Sequence, residues 1–106
     1  MFGFGKKKVN MKWAELVLAQ PIQHPERVTE ELLHRATERQ VTRRSEIIME
    51  SVDIIRKTKY EDTRQGRIDL CRKHYDYFKK LLPFVDKNQK SLIRQCEKAM
   101  MQVGIL

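Results

Sequence analysis

RIDLCRKHYDYFKKLLPF, residues 67–84, decides the fold class. Ile68, Cys71, Tyr75, Phe78 and Leu82 step by three and four, with Leu70, His74, Tyr77 and Leu81 beside them. That spacing covers about half of a helix with apolar side chains and predicts an amphipathic helix over about 63–82. Asp69 and Asp76 fall on the opposite side, four residues before Lys73 and Lys80, where i,i+4 ion pairs are expected. Pro83 ends the helix, and Asp62 with Gln65 has the pattern of a capping box opening it.

Downstream, Asp86 is placed to cap a last helix over about 87–103. Leu92, Ile93, Cys96, Ala99, Met100 and Val103 share one of its faces, and Gly104 suits the position just past its end. The connection around Pro83 and Phe84 is short, so these two helices should run antiparallel. Cys71 then falls level with Cys96, and Tyr75 with Leu92.

Upstream, no Gly or Pro interrupts Glu26 to Lys57, which predicts a long helix over about 26–57 with Pro25 suited to its first position. Two apolar stripes run along it. Val28, Leu32 and Ala36 form one, and Val41, Ile48, Val52 and Ile55 form the other, about 150° away. Either one helix packs different faces on different neighbours, or it breaks near residues 40–42; we take it as continuous. NMKWAELVLAQ, residues 10–20, reads as a short helix over about 11–19 capped by Asn10, and Pro21 and Pro25 bracket a linker. Four Gly and three Pro are few for an all-β domain, and long stretches without either favour helices. The expectation is all-α: a small bundle of three main helices plus a short N-terminal helix, forming a single domain over 11–106 behind a flexible basic and aromatic arm at 1–10.

The net charge of +8 is uneven. Residues 1–25 carry +3, residues 26–60 carry +1 and residues 61–106 carry +4. No apolar run is long enough to cross a membrane, so integral insertion is not expected. MFGFGKKK, residues 1–8, has no long apolar stretch after its charges and has Phe at position 2, matching neither a secretory signal nor N-myristoylation. A cytoplasmic location with reduced thiols is the expectation.

Cys71, His74, Cys96 and distant His34 are the residues a zinc ion would choose, but no CxxC knuckle accompanies them. A disulfide stapling the hairpin conflicts with a reducing compartment. Both cysteines therefore read as small buried hydrophobes. Asp76 diverges from His74 around the helix, which removes the simplest acid–base pair, and no GxSxG, HExxH or P-loop pattern occurs. No catalytic residue, cofactor, metal or small-molecule substrate is expected.

Three basic features remain. Lys87, Lys90, Arg94 and Lys98 make a stripe opposite the apolar face of the last helix, Arg35, Arg39 and Arg43 make a second, and Lys73 with Lys79 and Lys80 a third. They would suit phosphates, or they are solvated faces blunted by Glu38, Glu46 and Glu97. Phe2, Phe4, Lys6, Lys7, Lys8 and Trp13 would suit a protein or an anionic membrane surface. The leading expectation is a non-catalytic helical adaptor or regulatory protein that binds another protein or itself. Nucleic-acid binding through the basic helix faces is the first alternative, and membrane-surface association through the arm the second.

Overall fold

A computed structural model describes residues 9–106, and every element among them is helical. The helices are α1 (Met11–Val17), α2 (Glu30–Lys57), α3 (Glu61–Leu81) and α4 (Lys87–Gln102), with short 3₁₀ turns at Pro25–Arg27 and Leu82–Phe84. The all-α bundle of three main helices and one short one is therefore as expected. Phe2, Phe4, Lys6, Lys7 and Lys8 lie outside the described residues.

Local chemistry sets the boundaries. The Asn10 side chain accepts from the Trp13 amide and starts α1. Thr29 accepts from the Leu32 amide and starts α2, later than expected, because Pro25 opens a separate 3₁₀ turn and Val28 and Thr29 are extended. Asp86 and Gln89 form a reciprocal capping box on α4. At its end Gly104 adopts φ 77°, its amide donates to Met101 and the Ile105 amide donates back to Met100, the paired closure of a Schellman turn.

The start of α3 differs from the sequence reading. Asp62 lies inside the first turn and caps nothing, and Gln65 donates to Asp69 at 2.9 Å. Arg64 instead reaches back to the end of α2, bonding the Thr58 carbonyl at 2.8 Å and the Ile55 carbonyl at 3.4 Å. A cation on those carbonyls is favourable both as a cap and against the helix dipole. The expected i,i+4 pairs on α3 also give way: Asp76 pairs with Lys79 at 3.1 Å rather than with Lys80, and Asp69 is taken by Gln65 rather than Lys73.

The long helix is unbroken and buries different faces against α1, α3 and α4, as expected of a continuous helix, though Leu32 is not part of the buried surface. Leu33, Ala36, Thr37, Val41, Ser45, Ile48, Ser51, Val52 and Ile55 are all buried, whereas Leu32 is 39% exposed. Thr37, Ser45 and Ser51 carry the buried surface through positions that look polar in sequence. Thr37 can be buried because its hydroxyl donates to the Leu33 carbonyl at 2.7 Å, and Ser51 because it accepts from Arg67 at 3.3 Å. The Ser45 hydroxyl is buried with no hydrogen bond of ordinary geometry among the described residues.

All the other helices pack on α2. The pairs Ser51–Arg67, Ile48–Cys71 and Arg44–His74 run in opposite directions along the chain, so α2 and α3 are antiparallel. Cys96 lies on Ser45 and Gln102 on Arg56, so α4 runs with α2 and against α3. Tyr75, expected level with Leu92, instead donates to Glu97 at 2.5 Å. The core between these helices holds Ile48, Phe78, Leu81, Ile93 and Met100. The bundle is long and thin, 64 × 27 × 16 Å.

Candidate protein-binding groove

α4 fills one flank of the α2–α3 pair, meeting α2 at Ser45 and α3 at Tyr75. Among the described residues the opposite flank is covered at one end only, by α1. There the Trp13 indole donates to Thr37 at 2.8 Å, stacks on Phe84 at 5.6 Å and meets His34 edge-on at 4.9 Å. The Tyr77 hydroxyl donates to the Leu16 carbonyl at 2.7 Å, tying α1 to α3 as well. Trp13 and Val17 are buried in this contact, so Trp13 serves the chain's own core.

Beyond α1 the groove continues with different lining. Ile47 and Ile54 are two residues from Ser45 and Val52, hence about 160° around α2 from the α4 contact. Leu70 and Gly66 occupy the matching edge of α3. Ile47, Ile54 and Leu70 are half-buried and stand apart from the hydrophobics that pack on the core. At Gly66 nothing lies within 4 Å of where a side chain would begin.

Arg44 sits between the α1-covered end and this stretch. Its Nε donates to Gln40 at 3.0 Å, its Nη1 lies 3.0 Å from His74 Nδ1, and its guanidinium carbon lies 3.5 Å over the Tyr77 ring. The guanidinium has no acceptor capacity, so His74 Nδ1 must accept and the ring's proton belongs on Nε2. Burial pulls the His74 pKa down, and Arg44, Lys73 and Arg43 pull it further. Burial also lowers the Arg44 pKa, though a guanidinium stays cationic. Among the described residues, no carboxylate pairs with Arg43, Arg44 or Lys73.

The expected cationic residues are thus divided. Arg43 and Lys73 are exposed and adjoin Arg44 and His74 along the chain, and Arg43 also borders a shallow depression that holds Glu38 and Glu46. Arg35 is tied to Glu31 at 2.8 Å, and Arg39 lies in the same depression. Lys80 lies at the other end of the bundle, beside Lys12, Glu15, Leu16, Pro83 and Phe84. Lys87, Lys90, Arg94 and Lys98 are exposed on α4.

The thiols belong to the core. Cys71 donates to the Ile48 carbonyl and Cys96 to the Ser45 carbonyl, each at 3.9 Å. Burial pushes both thiols above their ordinary pKa, which keeps them protonated and poor ligands or nucleophiles. His74, the third member of that cluster in sequence, is committed to Arg44 instead. Among the described residues no three His, Cys, Asp or Glu side chains converge as metal ligands do. No helix among them is long and apolar enough to cross a membrane.

Arg44, Ile47 and Ile54 escaped the sequence analysis, and Leu70 is read there only as part of the apolar face of α3. The available signal was phase: Arg44 is a cation in register with Val41, Ile48 and Ser51, on the buried side of α2. No protein-family model matches the chain, and neither the curated proteins nor the solved structures searched contain a match.

Proposed function

We propose that this protein is a non-catalytic helical interaction module that binds another protein along the α2–α3 groove. The observation that carries this reading is the groove itself: one end holds the apolar helix α1, and the other presents half-buried Ile47, Ile54 and Leu70. Helix-in-groove recognition uses such a surface, with apolar anchors spaced by whole turns. The sequence-based argument from unsatisfied stripes on α2 does not survive, because the chain's own helices cover most of both; the support comes from the lip residues.

The test is to place a photo-crosslinking residue at Ile54 and, as a control, at Arg94 on α4, and to map the products by mass spectrometry. Cross-links from position 54 to one protein, lost when Ile47 is changed to Glu in a folded variant, support the groove. Cross-links only from position 94 would move the interface to α4. Sedimentation at high protein concentration tests self-association, and a monomer there ends that version.

A second reading rests on the α4 stripe, where Lys87, Lys90, Arg94 and Lys98 have no ion-pair partner among the described residues. It is nucleic-acid binding through phosphates, which weakens steeply between about 50 and 200 mM salt. Anisotropy of labelled oligonucleotides at those salts decides it, and binding unchanged by charge reversal of the stripe would refute it.

A further inference from the structure

We propose that the partner segment in the α2–α3 groove is an acidic amphipathic helix that sets a carboxylate on Arg44. This rests on the groove reading above and adds the chemistry of the occupant. Arg44 is half-buried, yet its protein partners are neutral: the Gln40 amide oxygen, the His74 imidazole and the face of Tyr77. Those contacts fix the guanidinium plane but leave its charge uncompensated and its Nη2 donors without a partner among the described residues. Arg43 and Lys73 are exposed cations next in sequence to Arg44 and His74. A desolvated, preoriented guanidinium is suited to bidentate contact with a carboxylate.

The neighbouring lip residues specify more. Ile47 and Ile54 are two turns apart on α2, about 10 Å along its axis, and Arg44 lies about 4.5 Å before Ile47. An occupant helix matches that with apolar side chains at i, i+3 or i+4, and i+7, and an Asp or Glu about one turn beyond the first. A second copy of this chain is the competing occupant, and a dimer in sedimentation that is lost on Ile54→Glu would overturn the inference. Phosphate groups share the charge but not the apolar spacing.

The experiment uses the full chain and a fluorescein-labelled helical peptide with Leu at i, i+3 and i+7 and Glu on the flank. Three further peptides accompany it: Gln in place of Glu, Lys in place of Glu, and a scramble of the Glu sequence that destroys the Leu stripe. The Glu peptide should bind about tenfold or more tighter than the Gln and scrambled forms, and the Lys form should not bind. Arg44→Gln should weaken the Glu peptide about tenfold, and exposed Arg43→Glu and Lys73→Glu, which leave the core untouched, should each weaken it several-fold. Lys98→Glu on α4 should change it little. Equal binding of the Glu and Gln peptides, with Ile54→Glu still abolishing both, would overturn the acidic partner and leave the groove standing. No binding of any peptide would overturn both. Equal binding of the scramble, or displacement by inorganic phosphate or a single-stranded oligonucleotide, would make this a general anion site and overturn the inference.

Discussion

Replacing Thr37 with Val tests how α1 is held. Thr37 Oγ1 accepts from the Trp13 indole at 2.8 Å and donates to the Leu33 carbonyl at 2.7 Å, both within the buried interior. Valine keeps the shape and removes both bonds. The Leu33 carbonyl retains its helical partner, but the indole N–H is left buried and unpaired, at a cost of about 1–3 kcal/mol. Trp13 is 7% exposed. Burying its ring contributes about 4–6 kcal/mol, taking the usual area of a buried aromatic and about 25 cal/mol per Å². The substitution should therefore weaken α1 docking without abolishing it. Trp13 is the sole tryptophan, so its fluorescence reports that contact, whereas far-ultraviolet circular dichroism is dominated by α2, α3 and α4. In urea the Thr37→Val emission should shift red before the ellipticity is lost, while the unsubstituted chain should show closer transitions. Thr37→Ser, which keeps the hydroxyl, should lie between. The loss in Thr37→Val should shrink in a Trp13→Phe background, where no indole N–H remains to be orphaned. Coincident transitions with an unchanged midpoint in Thr37→Val would refute the reasoning.

Gly66→Ala should stabilise by about 1 kcal/mol, since Gly66 lies in α3 with open space at its Cβ, while Gly104→Ala should cost about 1–2 kcal/mol at φ 77°; denaturant midpoints of the two variants should move in opposite directions. His74 is held below its ordinary value of 6.5 by burial and by Arg44, Lys73 and Arg43. The unfolded chain thus takes up the proton first, and stability should fall as pH drops below about 6.5, levelling once the folded value is passed. Urea titrations between pH 7.5 and 5 should show the parent losing stability relative to His74→Gln, and parallel curves would exclude His74 as the source. Buried and protonated Cys71 and Cys96 should react with a thiol reagent only as fast as the bundle opens, so a burst of modification at neutral pH would contradict their placement.

Much of the fold is legible in the sequence because its signals are local. Asn10, Asp86 and Gly104 act where their side chains or conformational freedom predict, and Pro83 ends α3 within a residue or two of the expected place. The misreadings come from long-range terms. Thr37, Ser45 and Ser51 count as polar in a hydrophobic pattern, yet neighbouring helices bury them. Asp62 and Gln65 have the spacing of a capping box, but Arg64 on the α2 carbonyls sets the start of α3 by a contact that no local pattern encodes. Arg44 stands in the apolar phase of α2 and so breaks the pattern where it matters. The cations that were visible, on α4 and along Arg35, Arg39 and Arg43, stand out because solvent-facing charge repeats cleanly, which says little about where a partner sits.

The shared role of α2 has a kinetic consequence. α3 follows it after only Thr58–Tyr60, so the Ile48–Cys71 seam joins residues that are never far apart along the chain. Helical proteins dominated by such near-neighbour contacts fold in about microseconds to milliseconds. The α2–α3 hairpin can assemble first, with α4 added to its open flank and α1 settling last on a surface already made. Ile48→Val should then slow refolding in a stopped-flow chevron, whereas Val17→Ala should mainly steepen the rate of unfolding. Among the described residues, α1 then closes only one end of the flank that the hairpin leaves open.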